Sequence, residues 1–134
     1  MTARAATTSD EPTINAWLSA AYDADPTWVC SPGVPYPDPS TVASYVTGPG
    51  TEVTMSLDAT GNVQGVALWR TTDGLIAWLR VPQANVATAV PDLLNAVNAT
   101  GVTAHGSVAI DATRTALLGV AQMVSDGGTE IHWT

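Results

Sequence analysis

Apolar and polar positions change period several times along the chain, and each change marks an element. Residues 2–7 fit a short strand. Thr8 and Glu11 stand at capping-box spacing, and Ile14, Trp17, Leu18 and Ala21 follow at helical spacing, so a helix is predicted over 9–22. Residues 24–39 hold Pro26, Pro32, Pro35, Pro37 and Pro39, which suit an irregular loop. Ser40 then caps a short helix bearing Val42, Tyr45 and Val46, stopped by Gly48-Pro49-Gly50.

The next stretch alternates with period two. Val53, Met55 and Leu57 alternate with Glu52, Thr54 and Ser56, giving a strand over 51–57. Residues 63–71 and 75–81 read as two more strands. The turns are Asp58–Asn62 and Thr72-Asp73-Gly74, and Asp-Gly is a strong hairpin signal. The three strands make an antiparallel meander. Helical spacing returns with Val90, Leu93, Leu94 and Val97, predicting a helix over 87–99 with Pro91 in its first turn and Gly101 beyond its end. A strand over 102–110, a helix over 112–125 capped by Asp111, and a last strand over 129–133 complete the reading. The expected architecture is a single α/β (α+β) domain over 1–134, with a mixed sheet whose central antiparallel meander is flanked by helices.

Composition narrows the partners. Apolar residues make up 46% of the chain, enough for a core at 134 residues. Charged residues make up only 12%, with no Lys, and Phe is absent as well. This fits a high-GC genome, and also a surface partly covered by partners. The net charge is −8, with Arg4, Arg70, Arg80 and Arg114 as the positive side chains. That balance disfavours nucleic acid and anionic membrane as partners. No stretch approaches the roughly 20 apolar residues of a membrane span. No basic-then-apolar leader is present, so folding in the cytoplasm is expected.

The order β-α-α-β-β-β-α-β-α-β resembles the GNAT acetyltransferase fold. Ala3-Arg4-Ala5-Ala6-Thr7-Thr8-Ser9-Asp10-Glu11-Pro12-Thr13-Ile14 is similar to the family's first strand and helix start. Val63-Gln64-Gly65-Val66-Ala67-Leu68-Trp69 is similar to the strand where members read "vvGfa", and Leu75–Val81 to the central strand that ends at the cofactor. The resemblance implies a Gln/Arg-x-x-Gly-x-Gly/Ala loop after that strand, whose N–H groups hold the pyrophosphate of acetyl-CoA. Here the stretch is Pro82-Gln83-Ala84-Asn85-Val86-Ala87-Thr88-Ala89, with no Gly and no basic residue; Thr88 offers one hydroxyl.

The implied chemistry is incomplete too. Acetyl transfer to an amine needs a base and an acid. The meander offers Glu52 near a strand start, and residues 112–125 contain no Tyr. His105 on the fifth strand is a candidate base, although a lone strand His, as also at His132, is more often a structural or surface residue. Ser107 lacks a nucleophile elbow, Asp23 and Asp25 lack calcium-loop spacing, and Cys30 is a lone packing residue. The sequence therefore predicts no catalytic residue, no cofactor and no metal. Four aromatics are candidates for binding a protein partner: Trp28 and Tyr36 in the Pro-rich loop, and Trp69 and Trp78 if they face outward from the meander.

The leading expectation is a catalytically silent GNAT-like protein with a structural or binding role. The Lys-free, Thr/Ala/Val-rich composition resembles that of accessory virion proteins of phages infecting high-GC bacteria. That implies a minor capsid or decoration component, with capsid or its own copies as partner. One alternative is an active acyl-CoA N-acyltransferase with a divergent loop, requiring Arg80 or Arg114 at the cofactor phosphates. Another is a small carbohydrate- or peptide-binding module using Trp28 and Tyr36.

Overall fold

The computed structural model describes residues 2–24, 46, 49–107, 123–125 and 130–133; for Thr2 and for residues 21–24, 77–78, 83, 86, 107, 123–125 and 130–133 it describes the backbone alone. The Pro-rich loop, with Trp28, Cys30 and Tyr36, lies outside the described residues, as do Asp25, Asp111 and Arg114.

The chain opens with β1 (Thr2–Ala5), a 3-10 turn (Thr8–Asp10) and α1 (Glu11–Ala24). The predicted helix start is one residue out. Asp10, not Glu11, reaches back: its carboxylate accepts the Thr7 N–H at 2.9 Å, so Thr7 rather than Thr8 holds the cap position. Arg4 selects this frame. Its two Nη groups donate to the two Asp10 oxygens at 2.8 and 2.9 Å, tying the end of β1 to the helix start. That cation and the Thr7 N–H hold the Asp10 carboxyl well below the usual carboxylate range.

The meander is present with nearly the predicted bounds: β2 (Thr51–Leu57), β3 (Val63–Arg70) and β4 (Ile76–Arg80). With β1 they form a four-stranded antiparallel sheet in the order β1-β2-β3-β4. Both faces of this sheet are covered. Ile14 and Leu18 of α1 pack on Val53, Met55, Val66 and Leu68. On the other face α2 (Val86–Asn98) lays Ala89, Val90, Leu93, Leu94 and Val97 over Ala67, Trp69, Ile76, Leu79 and Val81. Pro91 lies inside α2 rather than in its first turn, because the helix already begins at Val86.

Covering both faces changes the meaning of the alternation in β2. Thr54 and Ser56 are the polar half of the pattern, yet both are buried under α2. Each is satisfied there. The Trp69 indole N–H donates to Thr54 Oγ1 at 2.9 Å, and the Ser56 hydroxyl donates to Asp92 Oδ2 at 2.5 Å. A bulge completes the second cluster. Ser56 pairs with Gly65 and Leu57 with Val63, leaving Gln64 as the extra residue, and its Nε2 donates to Ser56 Oγ at 2.9 Å. Gly65 is the point of closest approach. A Cβ there would meet Val81, Ala89 and Leu93 side-chain atoms at 3.0–3.1 Å, so the absence of a side chain lets α2 sit down on β3.

A second, three-stranded sheet contains β5 (His105–Ser107), β7 (Glu130–Trp133) and β6 (Met123–Ser125), in the order β5-β7-β6. Met123–Ser125 was expected to end a helix. It is a strand because Val124 pairs with His132 across the β6–β7 ladder, and the long-range pairing overrides the local helical period.

Candidate functional site

The place to look for a cofactor site is the junction of β4 and α2, where the resembling fold carries its phosphate loop. Here the junction folds onto itself. After Val81, Pro82 contributes no N–H, and residues Gln83–Asn85 form a 3-10 turn. The Asn85 N–H donates to the Pro82 carbonyl at 2.8 Å. The Asn85 side chain donates to the Gln64 carbonyl at 3.4 Å, linking the turn to the β3 bulge. The Thr88 hydroxyl is the one donor that the sequence offered a phosphate. It donates instead to the Asn85 carbonyl at 3.2 Å.

Arg80 closes β4 and is only 5% exposed. It pairs in register with Val66, whose side chain packs toward α1, while its neighbours Leu79 and Val81 pack toward α2. Strand alternation therefore puts Arg80 on the face away from α2, and not beside the α2 N-terminus that would hold a phosphate. Arg114, the other cation considered, lies outside the described residues.

Glu52 and His105, the two candidates for acid or base that the sequence offers on strands, lie at the other end of β4. Glu52 pairs with Trp69, and Trp69 pairs with Ile76, the first residue of β4. Partial burial pushes the Glu52 carboxyl above its ordinary value. His105 forms a parallel bridge with Leu75, and its N–H donates to the Gly74 carbonyl at 3.2 Å. From Ile76 to Arg80 the strand rises roughly 14 Å, at about 3.4 Å per residue. Neither Glu52 nor His105 thus sits where the central strand meets α2.

That bridge is the one β4–β5 pairing among the described residues. Past it β5 pairs with β7, so among the described residues the two sheets meet at Leu75, just before β4. His132 falls directly opposite His105 in the β5–β7 ladder. Among the residues whose side chains are described, no three metal-binding groups meet. Among the described residues, no helix is long and apolar enough to cross a membrane.

The aromatic candidates separate. Trp69 is 2% exposed in the core under α2, so the outward orientation that would make it a partner anchor is not adopted, and Trp69 is removed from the partner-binding candidates. Its indole N–H found a polar partner inside the core, in Thr54, so no outward orientation is needed to satisfy it. Trp78 takes the register position opposite Leu68.

No protein-family model matches the chain, and no curated protein matches it in sequence. Solved structures do match in shape. A proposed phosphinothricin N-acetyltransferase superposes with a TM-score of 0.56 at 14% identity, covering 98% of this chain and 93% of that one. A tetramutant of the BH1408 protein from Bacillus halodurans superposes with a TM-score of 0.53 at 15% identity, covering 75% of each chain. The fold is GNAT-like: a mixed α/β structure built on a four-stranded antiparallel sheet with helices.

Proposed function

We propose that this chain is a GNAT-like protein without acetyltransferase activity, whose role is structural or in binding another protein. The observation that carries the reading is the β4–α2 junction. Its stretch from Pro82 to Ala89 has no Gly and no cation, and two of its donors, the Asn85 N–H and the Thr88 hydroxyl, are spent inside the turn. The placement of Glu52 and His105 at the far end of β4 supports it independently. Isothermal titration of acetyl-CoA into the chain is expected to give no saturable heat. A Kd of about 100 µM or tighter overturns the reading.

A more specific form, a minor capsid or decoration component of a phage, rests on composition alone. Its test is co-sedimentation of the chain with assembled particles, and a chain that stays in the supernatant removes it. The second reading is an acyl-CoA N-acyltransferase with a divergent loop. It is favoured by the likeness in fold to the proposed phosphinothricin N-acetyltransferase. The same titration separates the two.

A further inference from the structure

The chain has two Asp-Gly pairs, Asp73-Gly74 and Asp126-Gly127. Such a pair can rearrange without an enzyme, because glycine leaves its amide nitrogen open to the preceding aspartyl side chain. The nitrogen attacks the aspartate Cγ and gives up its proton. The new C–N bond replaces one C–O bond, and that oxygen leaves as water. The cyclic imide then takes up water at either carbonyl and returns aspartate or isoaspartate, with no oxidation and no net change in mass. Water leaves from a protonated carboxyl; an ionised one has no such leaving group. The two dipeptides are alike in sequence. The first is the tip of the β3–β4 hairpin, and there the structure places a cation on the carboxylate; the second lies outside the described residues.

Arg70, the last residue of β3, grips Asp73 with both arms of its guanidinium. Its Nε donates to Asp73 Oδ1 at 2.8 Å, and its Nη2 donates to Oδ2. The Leu75 N–H also donates to Oδ1, at 3.2 Å. The attacking atom is engaged as well, since the Gly74 N–H donates to the Arg70 carbonyl at 2.9 Å. The Asp73 side chain is nevertheless 41% exposed, so water reaches it. Among the described residues, the charged and titratable groups acting on this carboxyl are Arg70 from β3 and His105 from β5. The Arg70 hydrogen bonds, with a smaller contribution from His105, hold it well below the usual carboxylate range. We propose that Asp73-Gly74 is a latent isomerisation site and that Arg70 restrains it by binding both carboxyl oxygens. Isoaspartate at this position routes the main chain through Cβ, next to the Gly74 carbonyl that accepts the His105 N–H. The rearrangement therefore acts on the joint between the hairpin and β5. It does not involve the β4–α2 junction, so it stands or falls independently of the function proposed above.

The test is peptide mapping of isoaspartate in the full chain after incubation at about pH 5 and about pH 7, either side of the range in which a free carboxyl begins to protonate. At about pH 5, isoaspartate at Asp73 should form about tenfold faster in Arg70→Gln than in the parent, as expected when a carboxyl regains about one pKa unit. Arg70→Lys keeps a cation without the two-armed grip and should recover part of the protection. Gly74 is also packed against Thr103, which slows ring closure by crowding at any pH. The pH profile separates crowding from charge. In the parent unfolded in urea, the rate at Asp73 should climb from about pH 7 to about pH 5; in the native parent it should stay flat, because the carboxyl remains ionised throughout. Circular dichroism checks that Arg70→Gln is folded; if it is not, the two profiles of the parent decide. Equal rates at Asp73 in the parent and in folded Arg70→Gln overturn the proposal, and so does a native parent whose rate climbs toward acid as steeply as that of the unfolded chain.

Discussion

Trp69→Ala is expected to destabilise the chain by about 3–5 kcal/mol, the range for deleting a fully packed Trp or Phe. A domain of this size has only about 5–15 kcal/mol in total. Trp69 is the largest fully buried side chain described, and it lies between the sheet and α2 with Ala67, Leu79 and Leu93 in the same cluster. Its loss leaves a cavity that a sheet covered on both faces cannot close by collapsing. It also strands the Thr54 hydroxyl, which accepts the indole N–H in the core. Trp69→Phe separates the two effects. Most of the ring volume remains, while a buried polar group loses its partner, so a loss of about 1–3 kcal/mol is expected. Denaturant unfolding checks both: the midpoint should fall in that order with little change in slope. A loss below about 1 kcal/mol for Trp69→Ala would contradict the core placement and return Trp69 to the candidates for a partner surface.

Trp69 also shows how far the sequence could be read. The meander was legible because period two, turn residues and length agree over 51–81, and all three strands appear there. Which polar residues face solvent was not legible. Thr54 and Ser56 look like an outer face, but alternation does not say whether a second helix covers that side. The covering helix supplies Asp92 for Ser56, and the sheet itself supplies Trp69 for Thr54. At the N-terminus, Thr7-x-x-Asp10 and Thr8-x-x-Glu11 both match a capping box. Arg4, on β1, decides between them through its ion pair with Asp10. Residues 123–125 form a strand because of their ladder partners in β7, which no local window contains.

The candidate site divides in the same way. A missing Gly and a missing cation at 82–89 are visible as composition, so the departure from the loop of the resembling family could be read directly. The positions of Glu52 and His105 along β4, and the facing of His105 with His132, depend on strand register and needed the fold.

Gly74→Ala is the second large effect, at about 2–5 kcal/mol. Gly74 has φ +80°, a left-handed conformation that costs a residue with a Cβ about 1–2 kcal/mol. It ends the β3–β4 turn, where its N–H donates to the Arg70 carbonyl at 2.9 Å. The Asp73-Gly74 pair announces that much as a hairpin tip. A second constraint is invisible in the dipeptide. A Cβ on Gly74 would lie 2.4 Å from the Thr103 carbonyl oxygen and 2.8 Å from its carbon. Those are backbone atoms and cannot rotate away, so the segment leading into β5 must move; overpacking of this kind adds about 1–3 kcal/mol. Gly61→Ala is the control. Gly61 has φ +86° with nothing within 4 Å of its Cβ position, so only the conformational cost applies. The excess at Gly74 over Gly61 measures how tightly the hairpin tip is clamped to the approach to β5. Hydrogen exchange locates it. In Gly74→Ala the His105 amide, which donates to the Gly74 carbonyl, should lose protection, whereas Gly61→Ala should leave it protected. Equal losses in the two variants would mean that the bridge at Leu75 and His105 does not hold the two sheets together.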